Sequence, residues 1–171
     1  MSLNPLAWTF RAQFALGAAI CAGLVGYALY AQHIIGLEPC PLCIFQRVAF
    51  MALGLVFLTG AIHAPGRAGR AAYAVLALVA GAAGAGIAGR HVWLQSLPPD
   101  QVPMCGPGLD YLLDAFPLRD VLARVFRGSG ECAEVDWTLL GLSMPAWNLL
   151  VFALFAAGAL WAGLRRRDDR R

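Results

Sequence analysis

Four long apolar stretches constrain everything else about this chain: Ala12 to Ala31, Ile44 to Ile62, Ala71 to Ala88 and Pro145 to Leu164. Each runs about 18–20 residues, enough at about 1.5 Å per residue to cross a hydrocarbon core of about 30 Å. Composition agrees, since 60% of the 171 residues are apolar and only 13% are charged, against norms of about 45–50% and about 25%. A soluble domain of this size could not hide so much apolar surface, and a disordered chain would carry more charge. The expected fold is an all-α membrane protein, a four-transmembrane-helix bundle forming a single membrane domain over residues 1–171. Its spans are joined by loops at 32–43, 63–70 and 89–144.

The basic residues orient the bundle. All thirteen are arginines, and Arg11, Arg67, Arg70, Arg165, Arg166, Arg167, Arg170 and Arg171 flank the two tails and the short middle loop. By the positive-inside rule both termini and the 63–70 loop are cytoplasmic. The opposite side carries Glu38, Asp100, Asp110, Asp114, Asp120, Glu131, Glu134 and Asp136. The net charge of +3 is thus topogenic, and no basic face interleaved with aromatics points to nucleic acid. Trp8 and Trp161 fall near the inner boundary, and Trp93, Trp137 and Trp147 near the outer one, as an aromatic belt requires. The first stretch lacks a small-x-small cleavage site and reads as a retained anchor in the lipid bilayer. In the third, Gly81, Ala85 and Gly89 recur every four residues beside Gly84 and Ala88, a face that lets two helix backbones approach.

Within the long outer loop, Pro117 to Arg127 sets Leu118, Val121, Leu122, Val125 and Phe126 on one helical face. Arg119, Asp120, Arg124 and Arg127 take the other. The expectation is a short interfacial amphipathic helix with its apolar side in the acyl boundary. Gly128-Ser129-Gly130 follows and leads to Cys132, so a movable joint is expected there.

Five cysteines carry the chemistry. Cys21 lies mid-span and is expected to pack as a small apolar residue. Cys40, Cys43, Cys105 and Cys132 all fall on the outer side, an even set in a compartment that permits disulfides. Cys40-Pro41-Leu42-Cys43 sits where the outer loop enters the second span. That puts Cys43 near a helix N-terminus, where the dipole favours a thiolate. Arg47 follows one turn deeper on the same face, and an arginine at that depth needs a partner or a polar cavity. A thiolate beside a fixed positive charge at the membrane surface suits a lipid-soluble two-electron acceptor such as a quinone, whose oxygens gain negative charge on reduction. Cys105 and Cys132 read either as a structural disulfide closing the loop or as a labile one that exchanges. A four-thiolate zinc site would need ligands of very different spacing in an oxidising compartment, so no metal is expected.

The run Glu38-Pro39-Cys40-Pro41-Leu42-Cys43-Ile44-Phe45-Gln46-Arg47 resembles the disulfide bond formation protein B (DsbB) family. So do Gly130-Glu131-Cys132-Ala133-Glu134 and Trp137 followed by Leu140-Gly141-Leu142-Ser143-Met144-Pro145-Ala146-Trp147. The likeness runs in order along essentially the whole chain. It implies a multi-pass protein of the bacterial inner membrane with its active cysteines on the periplasmic side. The implied activity is oxidation of a DsbA-like periplasmic thioredoxin-fold oxidase, with two electrons passed to ubiquinone or menaquinone. On that resemblance Cys105 takes the mixed disulfide with the partner and Cys132 is its loop mate. Cys132 then attacks Cys40, Cys43 becomes the thiolate that meets the quinone, and Arg47 and His91 bind the quinone. Gln46 departs from the glutamate expected in some relatives, a change that bears on quinone affinity rather than on the thiol relay.

Two other readings fit the same residues. A vitamin K epoxide reductase-like enzyme also pairs loop cysteines with a membrane C-x-x-C, although there the motif is expected late in the bundle. A non-enzymatic membrane protein would use two disulfides only to staple its loops.

Overall fold

The computed structural model describes residues 8–102, 109–135 and 137–164. Cys105, with the rest of 103–108, and Arg165, Arg166, Arg167, Arg170 and Arg171 lie outside the described residues, as does Asp136. In chain order come α1 (Phe10–Tyr30), continued by a π turn (Ala31–Ile35), then α2 (Pro41–His63) and α3 (Arg67–Gln95). The short helices α4 (Leu109–Ala115) and α5 (Leu118–Arg127) follow. A one-turn 3-10 segment (Gly130–Cys132), a hairpin of β1 (Thr138–Leu139) and β2 (Leu142–Ser143), and α6 (Met144–Leu164) complete the chain. Helices α1 with its π turn, α2, α3 and α6 are each long and apolar enough to cross a membrane, and the protein is a four-helix membrane bundle.

Local chemistry, rather than the edge of the apolar run, sets where each helix stops. Thr9 Oγ1 caps α1 by accepting from the Ala12 N–H at 3.3 Å. The π turn closes at Gly36 with φ +81°, a left-handed conformation that glycine adopts without strain. Pro41 fills the first position of α2, where its missing N–H costs nothing. Helix α3 has no breaker at Ala88 and runs on through Gln95. His91, expected just inside the long loop, is therefore held on a helix.

Helix α3 packs along α6, α1 along α2, and α2 against α3. Small residues permit the approach. A Cβ on Gly84 would lie 2.4 Å from the Phe152 ring, and one on Gly81 would touch the Ala156 Cβ at 3.4 Å. The buried side of α3 is Ala74, Ala77, Gly81, Gly84, Ala88, His91 and Leu94, which takes in Gly81, Gly84 and Ala88 of the expected face and leaves Ala85 and Gly89 half-buried at its margin. At 3.6 residues per turn a row of steps of four drifts by about 40° per step, and a Cβ on Gly89 would meet nothing within 4 Å. Between α1 and α2, a Cβ on Gly54 would lie 3.1 Å from the Cys21 Cβ, and Cys21 is a buried core residue. Stacked Phe50 and Phe152 (4.0 Å) and edge-on Phe14 and Phe57 (5.1 Å) fill the middle of the bundle. Its outside is apolar too: Leu55, Ile62, Val79 and Leu154 are each 61% exposed or more, a surface suited to acyl chains rather than water.

A second apolar cluster closes one end of the bundle. Val121 and Val125 of α5 pack with Leu42, Leu94, Leu112 and Cys132. The amphipathic helix is present, but its two valines face the protein, and of its large apolar residues Leu118 and Phe126 remain exposed. Arg90 of α3 donates to the Phe126 and Arg127 carbonyls at 3.0 and 2.9 Å, satisfying carbonyls at the end of α5 where a cation is favoured. Gly128, at φ +92°, presses onto Leu94, whose Cδ1 would lie 2.6 Å from an added Cβ. The expected joint is thus a packed turn that seats Cys132.

Candidate active site

Cys40 is the N-cap of α2, so the C-x-x-C spacing places Cys43 at the third helical position, one turn away and on the same side. The Cys40 sulfur accepts the Cys43 backbone N–H at 3.4 Å and its thiol donates to the Cys43 sulfur at 3.2 Å. A thiol thus does the work that serine or aspartate commonly does at a helix start. Both sulfurs lie at the positive end of the helix.

Cys132 comes to the same point from the far loop. Its donor atom, that of Cys40 and a ring nitrogen of His91 all lie within 4.8 Å of one another. Such soft donors at that spacing suit sulfur exchange, and would also suit a soft metal ion. Cys132 is almost fully buried, with Ser129 Oγ 3.7 Å from its sulfur. Its thiol is held well above the ordinary range, first by the hydrogen bond with Cys40 and then by burial, while contacts with the Leu42 backbone and Ser129 act the other way.

On the inner side of the thiols, His91 Nε2 is 3.8 Å from the Cys40 sulfur. Its Nδ1 is 3.0 Å from Gln46 Nε2, and Gln46 Oε1 accepts from Asn148 Nδ2 of α6 at 2.7 Å. Gln46 and His91 are both buried. Arg47 turns to the other flank of α2, where it donates to the Gln32 side-chain oxygen and, at 3.1 Å, to the Ala28 carbonyl. It stays within coulombic range of Cys43.

The structure therefore brings together Cys40, Cys43, Cys132 and His91, with Arg47 beside them, while Cys105 lies outside the described residues. Gln32 and Asn148 did not emerge from the sequence reading, and Gln46 did so only for a missing charge. A polar residue inside an otherwise apolar span was the available signal, because such a residue is costly without a partner.

Comparison with known proteins finds the family model described as "Disulfide bond formation protein DsbB" matching residues 10–162. The Disulfide bond formation protein B of Acinetobacter baylyi is 52% identical over 162 residues, covering 93% of this chain and 94% of that protein. The protein of the same name from Xanthomonas campestris pv. campestris is 51% identical over 170 residues, 99% of each chain. That from Acinetobacter baumannii is 56% identical over 148 residues, 85% of this chain and 86% of the relative.

Proposed function

The chain belongs to the disulfide bond formation protein B family, and from that premise we propose that it oxidises a DsbA-like periplasmic thioredoxin-fold protein and passes the two electrons to membrane quinone. The bacterial periplasm is kept oxidising by DsbA–DsbB–quinone systems of this kind. The observation that carries the reading is the convergence of Cys132, from a loop, with Cys40 at the N-cap of α2, whose sulfur is 3.2 Å from that of Cys43.

The steps balance as two exchanges and one reduction. A partner thiolate attacks Cys105 of a Cys105–Cys132 disulfide, forming the mixed disulfide and releasing Cys132. The partner's second thiol then resolves that bond and leaves oxidised. Cys132 attacks Cys40 of the Cys40–Cys43 disulfide: the Cys132–Cys40 bond forms, the Cys40–Cys43 bond breaks, and its electron pair leaves on Cys43. That thiolate is stabilised by the helix N-terminus and Arg47. Cys105, freed when the partner left, attacks Cys132 of the Cys132–Cys40 disulfide, so the Cys105–Cys132 bond re-forms and Cys40 leaves as a thiolate. Cys40 and Cys43 then join as a disulfide while their electron pair passes to the quinone, which takes up two protons to become quinol. Arg47 uses some of its five N–H groups on Gln32 and Ala28, leaving others for a quinone oxygen. Ubiquinone and menaquinone both offer that oxygen.

The same reading sets the protein in the inner membrane with both termini cytoplasmic and the thiols at the periplasmic end. An even number of spans supports termini on one side. The test is a trap: a reduced partner whose second thiol is replaced by serine attacks Cys105 of the Cys105–Cys132 disulfide, releases Cys132, and has no thiol left to resolve the mixed disulfide. A stable adduct at Cys105, found by mass mapping, is the expected result. Fixed disulfides with no adduct, given a competent partner, would overturn the relay in favour of loop staples.

A further inference from the structure

Three polar side chains from three different helices run in a line to the reacting sulfur: Asn148 on α6, Gln46 on α2 and His91 on α3. Asn148 Nδ2 donates to Gln46 Oε1 at 2.7 Å. With its oxygen so engaged, the Gln46 amide presents Nε2 to His91 Nδ1 at 3.0 Å. An amide nitrogen only donates, so Nδ1 must be the acceptor and the proton of the neutral ring must sit on Nε2. That atom faces the Cys40 sulfur at 3.8 Å.

We propose that Asn148 and Gln46 are positioning residues that hold His91 in its Nε2–H form, making it a hydrogen-bond donor to Cys40 rather than a base. The proposal rests on the thiol relay described above and specifies what His91 does in it. When Cys132 attacks Cys40, negative charge spreads over three sulfurs in line, and Cys40 is the central one. A donor already aimed at that sulfur stabilises the charge as it develops and needs no rearrangement. The same N–H stabilises Cys40 whenever it leaves as a thiolate. A ring fixed this way cannot take the proton of Cys132 through Nε2, so that proton goes elsewhere. The arrangement extends over 102 positions of sequence, and no two of its members are chain neighbours. Burial adds weight, since Gln46 is only 1% exposed, and a buried amide in an apolar bundle has few other partners.

The ring nitrogens report the tautomer directly. Nitrogen-15 spectra of the full-length protein in detergent, with its histidines labelled and His91 assigned by its loss in His91→Gln, distinguish a protonated from an unprotonated nitrogen at each position. The expected result is an unprotonated Nδ1 and a protonated Nε2. In Asn148→Ala, the Gln46 amide is free to turn, so both His91 signals move toward an average of the two tautomers. Exchange from Cys132 to Cys40 in a single turnover slows by about threefold to tenfold, the effect of weakening one hydrogen bond to a charged sulfur, while KM for quinone holds. A protonated Nδ1 in the wild-type protein would overturn the proposal, as would Asn148→Ala spectra identical to wild type. Both spectra are taken without quinone or partner, so a failure here is separable from a failure of the relay.

Discussion

Cys132 donates a hydrogen bond to Cys40 and is shut away from solvent, and both effects hold its thiol above the ordinary range. In the reduced protein its alkylation should therefore lag an exposed thiol at pH 8 by about tenfold or more, and should quicken only above the usual thiol pKa of about 8.5. Rate against pH, read at Cys132 by mass mapping, checks this; a midpoint at or below the ordinary value would refute it. The linkage has a definite sign. Because the folded value lies above the unfolded one, the stability that comes from keeping this proton is fully present below the unfolded pKa. It is lost as pH rises above that value. Arg47 offers a second point. Removing it in Arg47→Ala should raise KM for quinone about tenfold or more, since a charge-assisted hydrogen bond is lost. Thiol exchange in the loops should be unchanged, and equal quinone dependence in variant and wild type would remove Arg47 from the quinone site.

Helix α3 carries one of the tightest fits in the bundle, with Gly84 against the Phe152 ring. Gly84→Leu should lower stability by about 1–3 kcal/mol or more, the usual cost of overfilling a packed contact, and thermal unfolding in detergent measures it. Gly89→Leu is the matched control, because nothing lies within 4 Å of a Cβ there. Equal melting of the two variants would mean that the small-residue face is not the packing face. The same helix shows what the sequence made legible. Span-length apolar runs and the placement of Cys40 and Cys43 at a helix start were readable, because both depend on short-range chemistry and length. The small-residue face was legible only in part: Gly81, Gly84 and Ala88 are buried, whereas the four-residue row through Ala85 and Gly89 drifts to the margin of the contact. Nor could Gly128 be told from a hinge: its role is set by Leu94, a residue of another helix. The valines of α5 show the same limit, since an amphipathic pattern says that one face is buried but not whether lipid or protein buries it. Asn148 is the extreme case, its partner lying on a helix far away in sequence.

The assembled molecule divides into a membrane-spanning bundle with an apolar outside and a small cluster of loop elements closing one end over the thiols. Arg90 ties the two parts by holding the end of α5 to α3, and Val121, Val125 and Cys132 share one core with Leu42 and Leu94. Cys132 thus sits under a protein cover at the end of the apolar bundle, where the proposed relay would hand electrons to a lipid-soluble acceptor. The convergence of Cys40, Cys43 and Cys132 at that boundary is what a protein coupling thiols to a membrane quinone needs. The most direct measurement is quinone reduction by the purified protein in detergent, started with a reduced thioredoxin-like dithiol protein and repeated with Cys43→Ser. Catalytic quinol formation that vanishes in the variant is the expected result. No quinol from the intact protein, with quinone and dithiol protein shown to be competent, would contradict a thiol-to-quinone enzyme and leave the cysteines as structural staples.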